Sequence, residues 1–180
     1  ASAAQNVNLT VNSAAAATHG VQGGKDVTVV ANAVTAAGVI NVGTTTAAKG
    51  AVVVTANELA TNTTGTADAI NVTGGKSQVI TANLTGAVNN TITGGVITAT
   101  GSADTTSISV TQTKAATAAA AVSGVVNGAV TIADVNAGSA TAAGTITDVT
   151  LNNYGNSTID SSALTSVTLT GSGGTLGIGR

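Results

Sequence analysis

The chain contains no cysteine, proline, methionine, tryptophan or phenylalanine, and Tyr154 is its only aromatic residue. Without cysteine there are no disulfides, no thiolate chemistry and no Cys-based zinc sites. Without bulky side chains the interior between two packed sheets, about 10 Å thick, goes unfilled. The absence of proline suits a backbone that donates every N–H along a stack of strands. Charge is scarce as well: five Lys or Arg, seven Asp or Glu and one His give a formal net charge of −2 over 180 residues. Lys25, Lys49, Lys76, Lys114 and Arg180 stand singly, whereas nucleic-acid binding calls for clustered basic residues, so nucleic acid is not an expected partner. No apolar run approaches the roughly 20 residues that cross a bilayer, and no membrane insertion is expected. The opening "ASAAQNVNLT" has neither the basic nor the apolar region of a signal peptide. The missing initiator Met and the final Arg180 point to a fragment of a much longer polypeptide, although a chosen boundary explains them equally well.

Hydrophobic residues still make up 43%, almost all of them Ala, Val, Ile and Leu. Low net charge combined with that hydrophobicity argues for a folded chain, and the length suits one domain over 1–180. Its core must be thin or built in narrow layers, because small side chains leave voids in a wide gap.

Self-similarity fixes the architecture. "GGKDVTVVAN" (23–32), "AKGAVVVTAN" (48–57) and "GGKSQVITAN" (74–83) share one template of small residue, Lys, alternating apolar run and Ala-Asn. Their spacing falls in the range of solenoid units. Further short runs alternate apolar with polar residues: "GVINV" (38–42), "DAINV" (68–72), "NTITG" (90–94), "VITAT" (96–100), "TSISVTQT" (106–113), "GAVTIADV" (128–135), "GTITDVTL" (144–151) and "TSVTLTG" (165–171). That is strand periodicity. A sandwich lacks the side chains to fill it, so the expected fold is all-β, a parallel β-solenoid (β-helix or β-roll) of about seven irregular coils. Asn127-Gly128 reads as a corner of that solenoid, with a β-hairpin as the alternative. "KAATAAAAV" (114–122) fits a short helix or an extended coil equally well.

Enzyme chemistry has little to draw on, and an enzyme is not expected. His19 is the only imidazole and reads as a solvated turn residue. No nucleophile elbow, P-loop or zinc-protease motif occurs. A carbohydrate-active site with paired carboxylates would also need aromatic platforms, and only Tyr154 is present. Sequons at Asn62 and Asn71 are what a chain rich in Asn and Thr produces by chance. Calcium is the better candidate, since it takes oxygen ligands from turns. "GGKDVTVV" (23–30), "TGTADAINV" (64–72) and "TGSADTTSISV" (100–110) look like worn calcium nonapeptides carrying Asp26, Asp68 and Asp104. Asp134, Asp148 and Asp160 join them as candidate ligands, with turn capping as the competing role for all six. Thr-x-Thr pairs at Thr91/Thr93, Thr98/Thr100 and Thr168/Thr170 raise a different reading, an adhesin stalk or ice-binding solenoid. Uneven strand spacing argues against it.

From about residue 104 onward, "VNGAVTI", "STIDSSALT" and "LGIGR" carry a resemblance to the crystalline surface-layer proteins of Caulobacter and its relatives. The resemblance implies a middle segment of a calcium-dependent, RTX-related protein secreted by a type I route. It implies self-association into a two-dimensional lattice at the cell surface, with calcium at turns and interfaces. Lipopolysaccharide anchoring and the secretion signal would lie in other regions of the parent protein.

Overall fold

The computed structural model describes residues 1–13, 16–34, 37–59, 65–86, 91–116 and 124–179. Its first coil comprises β1 (Val7–Ser13) and β2 (Thr18–Val21), and its second β3 (Val27–Val34) and β4 (Val39–Val42). The next three coils each insert a short middle strand. They are β5 (Ala51–Leu59), β6 (Gly65–Thr66) and β7 (Ala69–Thr73); β8 (Ser77–Gly86), β9 (Thr91–Thr93) and β10 (Ile97–Thr100); and β11 (Ser107–Ala116), β12 (Gly124–Val126) and β13 (Val130–Ala133). The sixth has β14 (Asp148–Tyr154) and β15 (Ser157–Asp160), the seventh β16 (Ser166–Gly173) and β17 (Leu176–Gly179).

Each strand pairs in parallel with its counterpart one coil away. Sheet A runs β1, β3, β5, β8, β11, β14, β16; sheet B runs β2, β4, β7, β10, β13, β15, β17; the short middle strands form sheet C. The molecule is thus an all-β parallel solenoid of seven coils, with no helix among the described residues and no closed barrel. At about 4.8 Å per coil it is roughly 30 Å long.

Period-2 alternation puts one set of side chains inside, and the register stacks like on like. Val29, Val54, Ile80, Val110 and Leu151 form one inward row of sheet A, and Val42, Val72, Ala99, Ile132 and Ile159 one row of sheet B. All ten are buried. The Ala-Asn endings of the three repeats coincide in space: Ala31, Ala56 and Ala82 stack inside while Asn32, Asn57 and Asn83 stack outside. From the first coil to the fifth, coil length varies at the corners and not within the strands of sheet A, whereas the β14–β16 pairing shifts register between Asn152 and Tyr154. Steps along the Asn row span 20, 25 and 26 residues, then 30 to Thr113, without loss of register. The corner ahead of β8 needs glycine, because Gly74 and Gly75 adopt φ of 79° and 84°.

Asn127-Gly128 is a corner, as expected, and not a hairpin, since β12 and β13 belong to different sheets and each pairs in parallel with other coils. Other sequence expectations change. His19 is no turn residue: it lies in β2, in register with buried Ile40, and is half-buried at the end of an inward row. "GTITDVTL" becomes strand only from Asp148, because Asp134 captures the Thr145 and Ile146 amides that a ladder would otherwise use. Of the Ala-rich run, Lys114, Ala115 and Ala116 extend β11, and 117–122 lies outside the described residues. Asn62 also lies outside them, whereas the Asn71 amide donates to Asn41 at 2.9 Å.

Candidate functional site

The outer face of sheet A is the broadest regular surface of the solenoid. One outward row runs Asn8, Thr28, Val53, Val79, Ser109, Thr150, Thr168, and the next Thr10, Val30, Thr55, Thr81, Thr111, Asn152, Thr170. A third row is a hydrogen-bonded ladder. Asn32 Nδ2 donates to Asn12 Oδ1 at 2.8 Å, Asn57 to Asn32 at 2.7 Å and Asn83 to Asn57 at 2.6 Å, and the Thr113 hydroxyl donates to Asn83 at 2.7 Å. No charged residue stands in any of these rows. Because the amides satisfy one another, their orientations are fixed and the face is stiff. With outward residues about 6.8 Å apart along a strand and coils about 4.8 Å apart, the face covers roughly 600 Å².

The Thr pairs singled out above do not share one face. Thr91/Thr93 lie on sheet C, Thr98/Thr100 on sheet B and Thr168/Thr170 on sheet A. Threonines do stack in register elsewhere, however: Thr98, Thr131 and Thr158 on sheet B, and Thr55, Thr81 and Thr111 on sheet A. Uneven coil length therefore is no obstacle to a threonine array.

The six candidate aspartates are spread over the coils. Asp26 Oδ1 accepts the Ala51 N–H at 2.9 Å, and Asp68 Oδ1 the Gly38 N–H at 2.7 Å, each joining one coil to the next. Asp134 is 3% exposed and organises the long loop between β13 and β14. It accepts the N–H groups of Val135, Thr145 and Ile146 and the hydroxyls of Ser161 and Thr145. Burial pushes its pKa up, but the Ser161 hydroxyl and the three amides outweigh that and hold it below the ordinary carboxylate value. Asp148 accepts the Thr147 hydroxyl at 2.6 Å. Asp104 is exposed, and the turn beside it is pinned instead by Thr105, whose hydroxyl accepts the Ser102 N–H at 2.8 Å. Asp160 keeps a buried Oδ1 that has no hydrogen-bond partner among the described residues. Among the described residues no three acidic or histidine side chains converge in an arrangement that would hold a metal ion. Turn capping describes Asp26, Asp68 and Asp134 well.

Three buried polar residues escaped the motif reading. Gln78 Nε2 donates to the Gly74 and Thr100 carbonyls, both at 2.9 Å, and Gln112 holds Gly128. Glu58 is 2% exposed, and among the described residues neither carboxylate oxygen has a hydrogen-bond partner. The Asp68 N–H lies on its side and favours the anion without reaching bonding geometry. Desolvation, with a smaller push from the Asp68 carboxylate, raises Glu58 to about 7. Asp68 is itself raised by burial, against the Gly38 N–H and the nearby His19. Alternation was the available signal: Glu58 shares the inward phase of Val52, Val54 and Ala56.

Tyr154 is buried, with its ring packed under Gly173, so it offers no open aromatic platform. No protein-family model matches the chain, and no curated protein matches it.

Proposed function

We propose that this solenoid is a structural segment of a bacterial surface layer, a secreted, cell-surface scaffold whose copies associate into a two-dimensional lattice. The observation that carries the reading is the regular outer face of sheet A, where two rows without a charged residue cross seven coils, an Asn ladder braces the first five, and Asp148 stands at the margin. Two such faces in contact would bury on the order of 1,200 Å², the lower end of specific protein interfaces. Uncharged rows also spare the contact the cost of desolvating ions. The resemblance of the stretch from about residue 104 to surface-layer sequences supports the same reading. It also supports type I secretion and lipopolysaccharide anchoring through other regions of the parent protein. Calcium would act between copies, where Asp104 and Asp148 stand exposed on the surface.

Negative-stain electron microscopy of the purified chain, concentrated in millimolar calcium, tests this. Ordered arrays or regular multimers are the expected outcome. A chain that stays monomeric at every concentration, with and without calcium, overturns the assignment.

The stack of Thr55, Thr81 and Thr111 favours a second reading, an adhesin stalk or an ice-ordering face. Val30 and Asn152 interrupt that row on the flanking coils. Thermal hysteresis of the purified chain at micromolar concentration would favour ice binding over the scaffold.

A further inference from the structure

An inward position of β5 carries a carboxyl group where hydrocarbon is the rule. Glu58 sits in register between Ala33 of β3 and Leu84 of β8, neither of them ionisable, and Leu84 is fully buried. Both Glu58 oxygens are buried and have no hydrogen-bond partner among the described residues. The corner ahead of β7 brings Asp68, 5% exposed, against it. Asp68 commits one oxygen to Gly38 of the coil before, and His19 of β2 lies near enough to favour the Asp68 anion. Lys114, next in the row after Leu84, supplies no counter-charge: it is exposed and its ammonium donates to the Ser172 hydroxyl at 2.9 Å. An ionised Glu58 would therefore be a buried charge with a second carboxylate at its side.

We propose that Glu58 is a proton-held latch, which closes the third coil around the Asp68 corner when protonated and drives that corner open when ionised. A proton fits where a metal does not, since two carboxyl groups fall well short of the six to eight oxygens calcium takes. Burial first, and Asp68 second, raise the group to about 7 from its ordinary value of 4.5. The sign follows from proton linkage. Between those values the folded chain binds the proton that the unfolded chain has released, so stability falls as pH rises through that window and is level above it. The latch is independent of the lattice reading and makes no use of the outer face of sheet A.

Hydrogen exchange on the intact chain, corrected for intrinsic rate, tests the latch at the Ala67 and Ala69 amides. These donate across coils to Thr93 and Gly38 at 2.8 and 3.0 Å. The open fraction at these amides should rise more than about tenfold between pH 5 and pH 8. Amides of β14 should not respond. Glu58→Gln should abolish the rise, and Asp68→Asn, which keeps an acceptor for Gly38 but removes the neighbouring charge, should move its midpoint to lower pH. A flat wild-type profile, an unchanged slope in Glu58→Gln, or an unmoved midpoint in Asp68→Asn overturns the latch. So does protection restored at high pH by millimolar calcium in wild type but not in Glu58→Gln, which would assign a metal site instead.

Discussion

The side-chain amide of Gln112 clasps the peptide of Gly128 from inside the solenoid. Its Nε2 donates to the Gly128 carbonyl at 2.8 Å and its Oε1 accepts the Gly128 N–H at 2.7 Å. The Gly155 N–H reaches the same carbonyl at 2.8 Å from the next coil. This explains why an Asn-Gly pair that suits a hairpin turns a corner here. Gln112 is fully buried, so Gln112→Leu should cost about 1–3 kcal/mol by urea unfolding, leaving the Gly128 N–H unpaired and its carbonyl with the Gly155 N–H alone. Gly128→Ala should cost at least as much, since a Cβ there overlaps the Gly95 carbonyl oxygen.

Asp134 should behave as a loop organiser. Asp134→Ala removes the acceptor for three amides and two hydroxyls, and a loss of about 2–4 kcal/mol is expected. Because hydrogen bonds hold its pKa below 3.8, its contribution is complete above that value and fades as pH falls through the lowered one. Exchange at the Thr145 and Ile146 amides should therefore quicken in acid in the wild type, and be fast at every pH in the variant.

The Asn ladder makes an ordered prediction. Asn57 donates to Asn32 and accepts from Asn83. Asn57→Ala should cost about 1 kcal/mol, and Asn57→Asp about 2 kcal/mol, because it sets a carboxylate against the Asn32 oxygen. Thermal unfolding of the two variants should rank them in that order.

Chelation should separate assembly from fold. If calcium bridges copies through exposed aspartates, a chelator loosens association while the β circular-dichroism signal survives. Collapse of that signal would make metal integral to the coils.

Most of the architecture was legible because it rests on alternation and repetition. The Ala-Asn endings at Asn32, Asn57 and Asn83 showed as a repeat, and the register turns that repeat into a ladder. Val42, Val72 and Ile132 lie inside, as their strand patterns required. What was not legible depended on cross-coil contacts. The role of Asp134 is written by Thr145, Ile146 and Ser161, which the sequence sets 11 to 27 residues away. β2 was missed because "THGV" (18–21) has turn-like composition, yet it is held as a strand by pairing with β4. Glu58, Gln78 and Gln112 were hidden by their chemistry, since polar residues in an inward phase read as interruptions.

Sedimentation of a Val79→Lys variant beside the wild type is the most direct test of the sheet A contact. Val79 is 42% exposed near the middle of that face, so lysine there spares the core while charging the contact. Self-association in calcium is expected for the wild type, with a monomeric variant of unchanged circular dichroism. A lysine variant that assembles as well as the wild type would contradict the account.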